Sequence, residues 1–190
     1  IATVIGGPHV NGIPIGTLEE FPSFDYGVYG EGEQTLLELC HYVVYGGNAR
    51  DVNGLLHREE NQVVKNPARP QIENLDDIPF PARDLIDYKP QAGHSARGIS
   101  NEISSTELFT SRGCPFPCKF CAIQTTFGTS VRFRSIKHVE EEIKEFKKDY
   151  QFNHVVVGDD TFGLNKSRVE ELCEVFMRTG IKSWNCDTRV

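Results

Sequence analysis

The sequence has no long apolar run, no basic start and no excess of positive charge. None of its hydrophobic stretches approaches the roughly 18 residues that a membrane-spanning helix needs, and residues 1–10 lack the basic start of a signal peptide. Lys and Arg total 20 against 27 Asp and Glu, a formal net charge of −7. We therefore expect neither a membrane nor nucleic acid as partner, and the predicted location is the cytoplasm.

Methionine is scarce, and internal repeats are absent. The only methionine is Met177, and the chain opens inside a β-branched run, so we expect a fragment of a longer protein. No segment repeats at a fixed period, which excludes solenoid and propeller architectures. With 38% hydrophobic and 25% charged residues, the composition is that of a globular protein.

The first third of the chain alternates strands and glycine turns. Residues 2–5 predict a strand that ends at Gly6 and Gly7, and residues 26–29 predict a second strand before the turn at 30–33. Apolar residues then recur at helical spacing up to Gly46. Strand, glycine turn and helix in this order indicate an open α/β sheet.

A hairpin and a proline-rich stretch follow. Residues 55–57 and 63–65 predict two strands of a hairpin. Residues 66–90 are rich in proline, which neither a helix nor a central strand tolerates. Residues 92–105 have no periodicity and continue as a predicted loop, so this region is interpreted as a linker.

Beyond the linker, the pattern predicts strand, helix, strand, helix and strand. Residues 108–110 form the first predicted strand, and residues 111–134 form a long irregular segment. The remaining elements are a helix from 136 to 150 capped by Ser135, a strand at 155–157, a helix from Asn165 or Ser167 to Gly180, and a strand at 181–186. Such a βαβαβ series forms a parallel sheet whose ligands bind at the carboxyl ends of the strands.

Three cysteines lie close together in the irregular segment. Cys114, Cys118 and Cys121 have the spacing Cys-x3-Cys-x2-Cys, and Gly113, Pro115 and Pro117 favour a turning backbone between them. Three thiolates on one loop can bind three irons of a [4Fe-4S] cluster and leave the fourth iron open. A zinc site completed by His138, or three unrelated thiols, are the alternatives.

The cysteine motif resembles the cluster-binding signature of radical S-adenosylmethionine (radical SAM) enzymes, including the aromatic Phe120 before the last cysteine. The resemblance implies that S-adenosylmethionine binds the open iron and is cleaved reductively. It also implies contacts to this cofactor from the turn after the strand at 155–157. The implied S-adenosylmethionine residues are Phe120, Asp159, Asp160, Thr161, Phe162 and Arg189.

The amino-terminal part resembles the last portion of the cobalamin-binding domain that precedes the radical SAM domain in one large subclass. The turns at 6–9 and 30–33 and the linker at 75–83 resemble that subclass. The resemblance implies that Gly6, Gly7, Gly30 and Glu31 contact cobalamin. The subclass has further cobalamin motifs that would lie before Ile1, and His9 is interpreted as a turn residue rather than a cobalt ligand.

The implied fold is therefore α/β, with the end of a Rossmann-like cobalamin domain before the first βα units of a partial radical SAM barrel. The implied boundaries are 1–58 for the cobalamin domain, 59–105 for hairpin and linker, and 106–190 for the radical SAM part. The implied function is cobalamin-dependent methyl transfer or related radical chemistry on a small molecule, with flavodoxin or ferredoxin as electron donor. A cobalamin-independent enzyme such as a methylthiotransferase, and a non-catalytic zinc or Fe-S module, are the alternatives.

The remaining cysteines and charges receive structural interpretations. Cys40, Cys173 and Cys186 are expected to be small packing residues of the core. The charged run at 140–148 is expected to be the solvated face of its helix.

Overall fold

The computed structural model describes residues 1–85, 105–150 and 152–189. The chain divides into two compact units: unit 1 contains Ile1–Glu73 and Gly113–Ser130, and unit 2 contains Asn74–Arg112 and Val131–Val190. The predicted loop at 92–105 and the end of the linker lie outside the described residues, apart from Ser105. Among the helices described, none is long and apolar enough to cross a membrane.

Unit 1 is built on a four-stranded mixed sheet. Its strands are β1 (Val4–Ile5), β2 (Tyr26–Val28), β3 (Leu55–Glu59) and β4 (Gln62–Lys65), in the order β1-β2-β3-β4. β1 and β2 are parallel, and the other neighbours are antiparallel. The predicted hairpin is confirmed. Its turn residues Glu60 and Asn61 both have positive φ, which is the turn geometry that matches the twist of a two-residue hairpin.

Four helices belong to unit 1. The predicted helix is α3 (Glu33–Tyr45), and it ends at Gly46 with a φ of 78°. α4 (Gln124–Phe127) is a single turn near the cysteines. Two further helices, α1 (Pro8–Gly12) and α2 (Pro14–Glu20), were not predicted, and only the start of α1 falls in the predicted turn at 6–9. Each begins with a proline, a residue preorganised for the first helical position, and Val10 and Leu18 bury their side chains in the core.

Unit 2 contains a three-stranded parallel sheet, as predicted. Its strands are β5 (Ser105–Leu108), β8 (His154–Phe162) and β9 (Ser183–Thr188), in the order β5-β8-β9. The connecting helices are α5 (Ile136–Tyr150) and α6 (Lys166–Arg178). A short antiparallel pair, β6 (Ser111–Arg112) and β7 (Arg132–Phe133), brackets residues 113–130 in the chain. The two predicted caps are present, because Ser135 Oγ accepts from His138 N–H and Asn165 Oδ1 accepts from Arg168 N–H.

The core of unit 2 lies between one face of this sheet and the two helices. Val155 and Val157 of β8 pack with Ile143 of α5 and Phe176 of α6. The ring of Trp184, the only tryptophan, lies 5.5 Å from both the Phe162 ring and the Phe176 ring. Strand residues point alternately to the two faces of a sheet, so Val156 and Gly158 lie on the side away from this core.

Three sequence interpretations need correction. Asp159–Phe162 is the continuation of β8 and not a turn after it, with an irregular register between Val157 and Phe162 against β9. Glu142, inside the supposedly solvated charged run, is buried, because two arginine side chains pair with it. Cys40 is exposed rather than part of the core, whereas Cys173 and Cys186 are partly buried.

Candidate functional site

The cysteine segment, residues 113–130, folds with unit 1, and its two ends meet. Cys114 N–H donates to the carbonyl of Gly128 at 3.4 Å. Gly113 has a φ of 94°, and a Cβ at this position would overlap with the carbonyl oxygen of Ser130. The backbone at Gly113 therefore requires glycine for two reasons, its left-handed conformation and the close approach of another chain segment.

The three thiols lie on this segment at different depths. Cys114 is buried, Cys118 is partly buried and Cys121 is exposed, and none of them forms a disulfide. Cys121 N–H donates to the Cys118 carbonyl at 3.1 Å, so these two cysteines share one tight turn. Among the residues that the structure describes, no group of three or more His, Cys, Asp or Glu side chains has the arrangement of a metal site.

The chemistry of this donor set fits an iron-sulfur cluster. All three side chains are thiols on one short segment, and soft thiolate ligands select clusters of this kind. His138, the residue that would complete a zinc site, has other partners in unit 2. Its Nδ1 accepts from Arg134 Nε at 3.1 Å, and its ring lies 4.7 Å from the ring of Phe80.

A single asparagine joins the cysteine segment to a predicted cobalamin turn within unit 1. Asn11 Nδ2 donates to Thr126 Oγ1 at 3.0 Å, and Asn11 Oδ1 accepts from Gly30 N–H at 2.7 Å. Thr126 belongs to α4, five residues after Cys121. The structure thus brings the glycine turn at 30–33 and the cysteine segment together. The sequence contained no signal for Asn11, because it lies in α1, which was not predicted.

The four predicted cobalamin residues differ in their surroundings. Gly7 and Gly30 have φ values of 94° and 81°, and nothing lies within 4 Å of where a Cβ would be. At Gly6, a Cβ would touch the carbonyl oxygen of Val28 in the neighbouring strand. Glu31 is buried, and its carboxylate accepts from Ile72 N–H at 2.6 Å. Gly7 and Gly30 therefore leave open space, whereas the Glu31 side chain has a structural partner.

In unit 2, the two adjacent acids of β8 differ in exposure. Asp159 is buried, whereas Asp160 is partly exposed. Both lie in the part of β8 whose register against β9 is irregular, between Val157 and Phe162. The Phe109 ring lies directly over Gly158, where a Cβ would overlap with it.

The Asp159 carboxylate is hydrogen-bonded to the strand end, which is defined as residues 109–111 directly after β5. Oδ1 accepts from the backbone N–H groups of Thr110 and Ser111 at 2.6 and 3.1 Å, and Oδ2 accepts from their hydroxyl groups at 2.6 Å each. Four donors saturate the two oxygens of a carboxylate. This side chain is a structural acceptor for residues 110 and 111.

Two arginines donate hydrogen bonds to backbone carbonyl oxygens of the same strand end. Arg134 Nη1 donates to the Phe109 carbonyl at 2.7 Å, and Arg168 Nη2 donates to the Thr110 carbonyl at 3.1 Å. Arg168 also lies over the Phe133 ring at 4.9 Å, and burial lowers the pKa of its guanidinium. The sequence did not indicate a role for these arginines or for Thr110 and Ser111, because no sequence pattern links them to Asp159.

The remaining predicted S-adenosylmethionine residues lie in varied environments. Phe162 is a core residue packed on Trp184, and Thr161 is buried in β8. Phe120, in unit 1, is 93% exposed. Arg189 is exposed directly after β9.

Unit 2 also has a cavity of about 530 Å³ beside the edge strand β5. Its lining includes Phe80 and Phe109 as well as the buried charges Arg83 and Glu142. Of the predicted cofactor residues, all of which the structure describes, none lines this cavity.

Comparison with known families places this region in a class. Residues 108–188 match the family model of the Radical SAM superfamily. This match confirms the resemblance to radical SAM enzymes that the cysteine motif predicted.

The similarity to known relatives extends over the whole chain and not only over residues 108–188. An uncharacterized methyltransferase of Pyrococcus horikoshii is 36% identical over 191 residues, which are 100% of this chain and 40% of the relative. The anaerobic magnesium-protoporphyrin IX monomethyl ester cyclase of Rubrivivax gelatinosus is 31% identical over 195 residues, 100% of this chain and 34% of the relative. The chain thus spans less than half the length of these relatives.

Solved structures share the fold of the chain. The cobalamin- and [4Fe-4S]-bound radical SAM methyltransferase TsrM from Kitasatospora setae matches with a TM-score of 0.65 at 22% identity, over 92% of this chain and 33% of that one. The cobalamin-dependent radical enzyme OxsB, with aqua-cobalamin and S-adenosylmethionine bound, matches with a TM-score of 0.67 at 22% identity, over 92% and 24%. These matches confirm an α/β fold with a parallel sheet.

Proposed function

We propose that the protein is a cobalamin-dependent radical SAM enzyme whose chemistry is methyl transfer or a related radical reaction on a small molecule. Cys114, Cys118 and Cys121 would hold a [4Fe-4S] cluster by three irons. When bound, the cluster supplies the electron that cleaves S-adenosylmethionine reductively, and cobalamin supplies a carrier for the methyl group.

The proposal divides the chain by sequence rather than by the two units. The beginning of unit 1, up to β3, is the end of a Rossmann-like cobalamin domain. The cysteine segment and the β5-β8-β9 sheet of unit 2 belong to the start of a partial radical SAM barrel. The boundaries 1–58, 59–105 and 106–190 are part of the same proposal.

The observation that carries the cobalamin part is the asparagine link inside unit 1. Asn11 joins Gly30 N–H to Thr126 Oγ1, so a glycine turn of the predicted cobalamin site lies beside the segment that carries the three cysteines. A methyl group can pass between two cofactors only when their reacting atoms come close together. Gly7 and Gly30 would let the cobalamin tail approach the backbone, because no side chain stands between them.

Residues for S-adenosylmethionine follow from the family resemblance and from exposure. In unit 2, Asp160 is the acid proposed to reach a ligand by its side chain, because it is partly exposed. Asp159 and Thr161 would contribute at most through the backbone, since their side chains are buried. Phe120 and Arg189 are proposed contacts because both are exposed. The electron donor would be a flavodoxin or a ferredoxin.

Reconstitution of the whole protein under anaerobic conditions tests this proposal. With iron and sulfide, we expect a broad absorption band at about 400 nm. We also expect the electron paramagnetic resonance (EPR) spectrum of the reduced cluster to change when S-adenosylmethionine is added. Cobalamin should co-purify or bind with a saturable change in its visible spectrum. Asn11→Ala should weaken cobalamin binding, while Asn48→Ala, which removes an exposed cap, should not.

Each part of the proposal can fail separately. A colourless protein that binds zinc would overturn the radical SAM assignment in favour of a metal-binding module. A cluster that responds to S-adenosylmethionine in a protein that never binds cobalamin would overturn only the cobalamin part and favour a cobalamin-independent enzyme such as a methylthiotransferase.

A further inference from the structure

The strand end ahead of the cysteines is held by three side chains from other elements. Asp159 of β8 binds the N–H and hydroxyl groups of Thr110 and Ser111. Arg134 and Arg168 bind the carbonyls of Phe109 and Thr110. Residues 109–111 are thereby hydrogen-bonded on both their donor and acceptor sides.

Among these side chains, Asp159 makes the largest number of bonds to the strand end. It is 4% exposed, and Thr110 and Ser111 are buried as well, so water cannot replace the four hydrogen bonds. Buried donors that lose their acceptor keep the full cost of their desolvation. Loss of the carboxylate would therefore release this strand end rather than exchange one partner for another.

We infer that Asp159 is a positioning residue for the cysteine segment, acting through hydrogen bonds to Thr110 and Ser111 and not through a charge contact with S-adenosylmethionine. The inference rests on the proposed function, because it concerns the cluster that the cysteines would hold. It assigns the two acids of β8 different roles, because Asp159 is buried and Asp160 is partly exposed.

The connection from Asp159 to the cluster ligands is short along the chain. Ser111 precedes Cys114 by three residues, and one of the residues between them is Gly113, whose conformation is restricted by the Ser130 carbonyl. A shift at Ser111 therefore changes the direction in which the chain enters the cysteine segment. Residues that do not bind the metal themselves but fix the orientation of its ligands are commonly needed for full metal affinity.

The bonding pattern predicts that asparagine can replace Asp159. Oδ1 of an asparagine would accept from the two N–H groups, and its Nδ2 would donate to the two hydroxyl oxygens, which can rotate their own hydrogens elsewhere. Asp159→Asn removes the negative charge and keeps the hydrogen bonds. Asp159→Ala removes both.

The test compares these two variants in the whole protein after anaerobic reconstitution. We expect Asp159→Ala to retain iron about tenfold more weakly against a chelator, and we expect its remaining cluster to show an altered EPR response to S-adenosylmethionine. Asp159→Asn should resemble the wild type in both measurements. The matched control is Asp25→Ala, which removes a carboxylate that binds the N–H and hydroxyl of Thr3 far from the cysteines in the chain, and it should leave iron retention unchanged.

Two results would overturn the inference while the proposed function stands: wild-type iron retention and EPR response in Asp159→Ala, or a defect in Asp159→Asn as large as that in Asp159→Ala. If Asp159→Ala does not fold, the double variant Thr110→Val and Ser111→Ala takes its place, since it removes the two hydroxyl donors and keeps both N–H bonds. We expect a smaller change of the same kind, and unchanged cluster properties would contradict the inference. A wild-type protein without any cluster would instead overturn the proposed function.

Discussion

Arg83 Nη2 donates to Glu142 Oε1 at 2.6 Å, although the two residues are 59 positions apart and both are buried. Arg134 Nη1 lies 2.5 Å from the second oxygen, Glu142 Oε2. A carboxylate between two guanidinium groups can be buried because the pairing compensates for lost hydration. This arrangement attaches the linker residue Arg83 to α5 inside unit 2.

We expect Glu142→Ala to lower the free energy of unfolding of unit 2 by about 3–5 kcal/mol, because it leaves two buried guanidinium groups without their carboxylate. Urea denaturation followed by Trp184 fluorescence measures this, since the only tryptophan packs in the core of unit 2. The exposed neighbour Glu141 provides the control, and Glu141→Ala should change stability by no more than about 0.5 kcal/mol. Equal effects of the two substitutions would contradict the prediction.

The three cysteines of the motif should be individually necessary for the cluster. Replacing Cys114, Cys118 or Cys121 by alanine leaves two thiolates, which is too few to hold the cube with one open iron. Iron and sulfide analysis after reconstitution should therefore show a loss of cluster in each variant. Cys40→Ala and Cys173→Ala are the controls, because these cysteines lie outside the segment, and near wild-type iron is expected in both.

Near wild-type iron in one of the three motif variants would remove that cysteine from the ligand set. A loss of iron in Cys40→Ala would point to a different set of ligands, since the Cys40 side chain is exposed on α3.

Two glycines with the same backbone angle separate strain from steric overlap. Gly7 and Gly113 both have a φ of 94°, but only at Gly113 would a Cβ overlap with another chain segment. An alanine at either site carries the cost of a left-handed conformation, about 1–2 kcal/mol. Only Gly113→Ala should also lower the yield of cluster, measured as bound iron per chain. Equal iron contents in the two variants would show that the contact with Ser130 is unimportant.

Acid should weaken unit 2 through Glu140. Hydrogen bonds from Arg178 and then Lys144 lower the pKa of Glu140 from 4.5 to about 2. Because the folded pKa is the lower one, the stabilising contribution is complete above pH 4.5 and is lost as the pH falls through about 2. Urea midpoints of the wild type and Glu140→Gln should therefore differ most above pH 4.5 and converge toward pH 2. A difference that grows on acidification would contradict this sign.

Elements with a strong local pattern were predictable from the sequence. The apolar face of α5, its Ser135 cap and the valines of β8 each indicate their structure within a few residues. The helices α1 and α2 were missed because they are short and their buried residues are too few to form a period. β8 was predicted too short because polar residues that pair with neighbouring elements, such as Asp159, do not look like strand residues in isolation.

The candidate site also has a part that local sequence predicts and a part that only the folded structure shows. The spacing of Cys114, Cys118 and Cys121 is a local property of the chain, so the predicted ligand set and the family resemblance both followed from it. The match of residues 108–188 to the Radical SAM superfamily confirmed the resemblance, and the ligand set stays a prediction. The role of Asp159 does not depend on its neighbours in the sequence. Its carboxylate oxygens accept from donors 48 and 49 positions away, and only the folded structure buries Asp159 while leaving Asp160 partly exposed.

The sequence by itself determined the cysteine motif, the order of strands and helices in unit 2 and the glycine turns, because each depends on residues close together in the chain. Tertiary structure decided which charges are buried and what they hold. Glu142 is enclosed by Arg83 and Arg134, Asp159 holds Thr110 and Ser111, and Asn11 joins Gly30 to Thr126. Hydrogen bonds and ion pairs form between whichever polar groups the folded chain brings within about 3 Å, and sequence separation does not encode that distance.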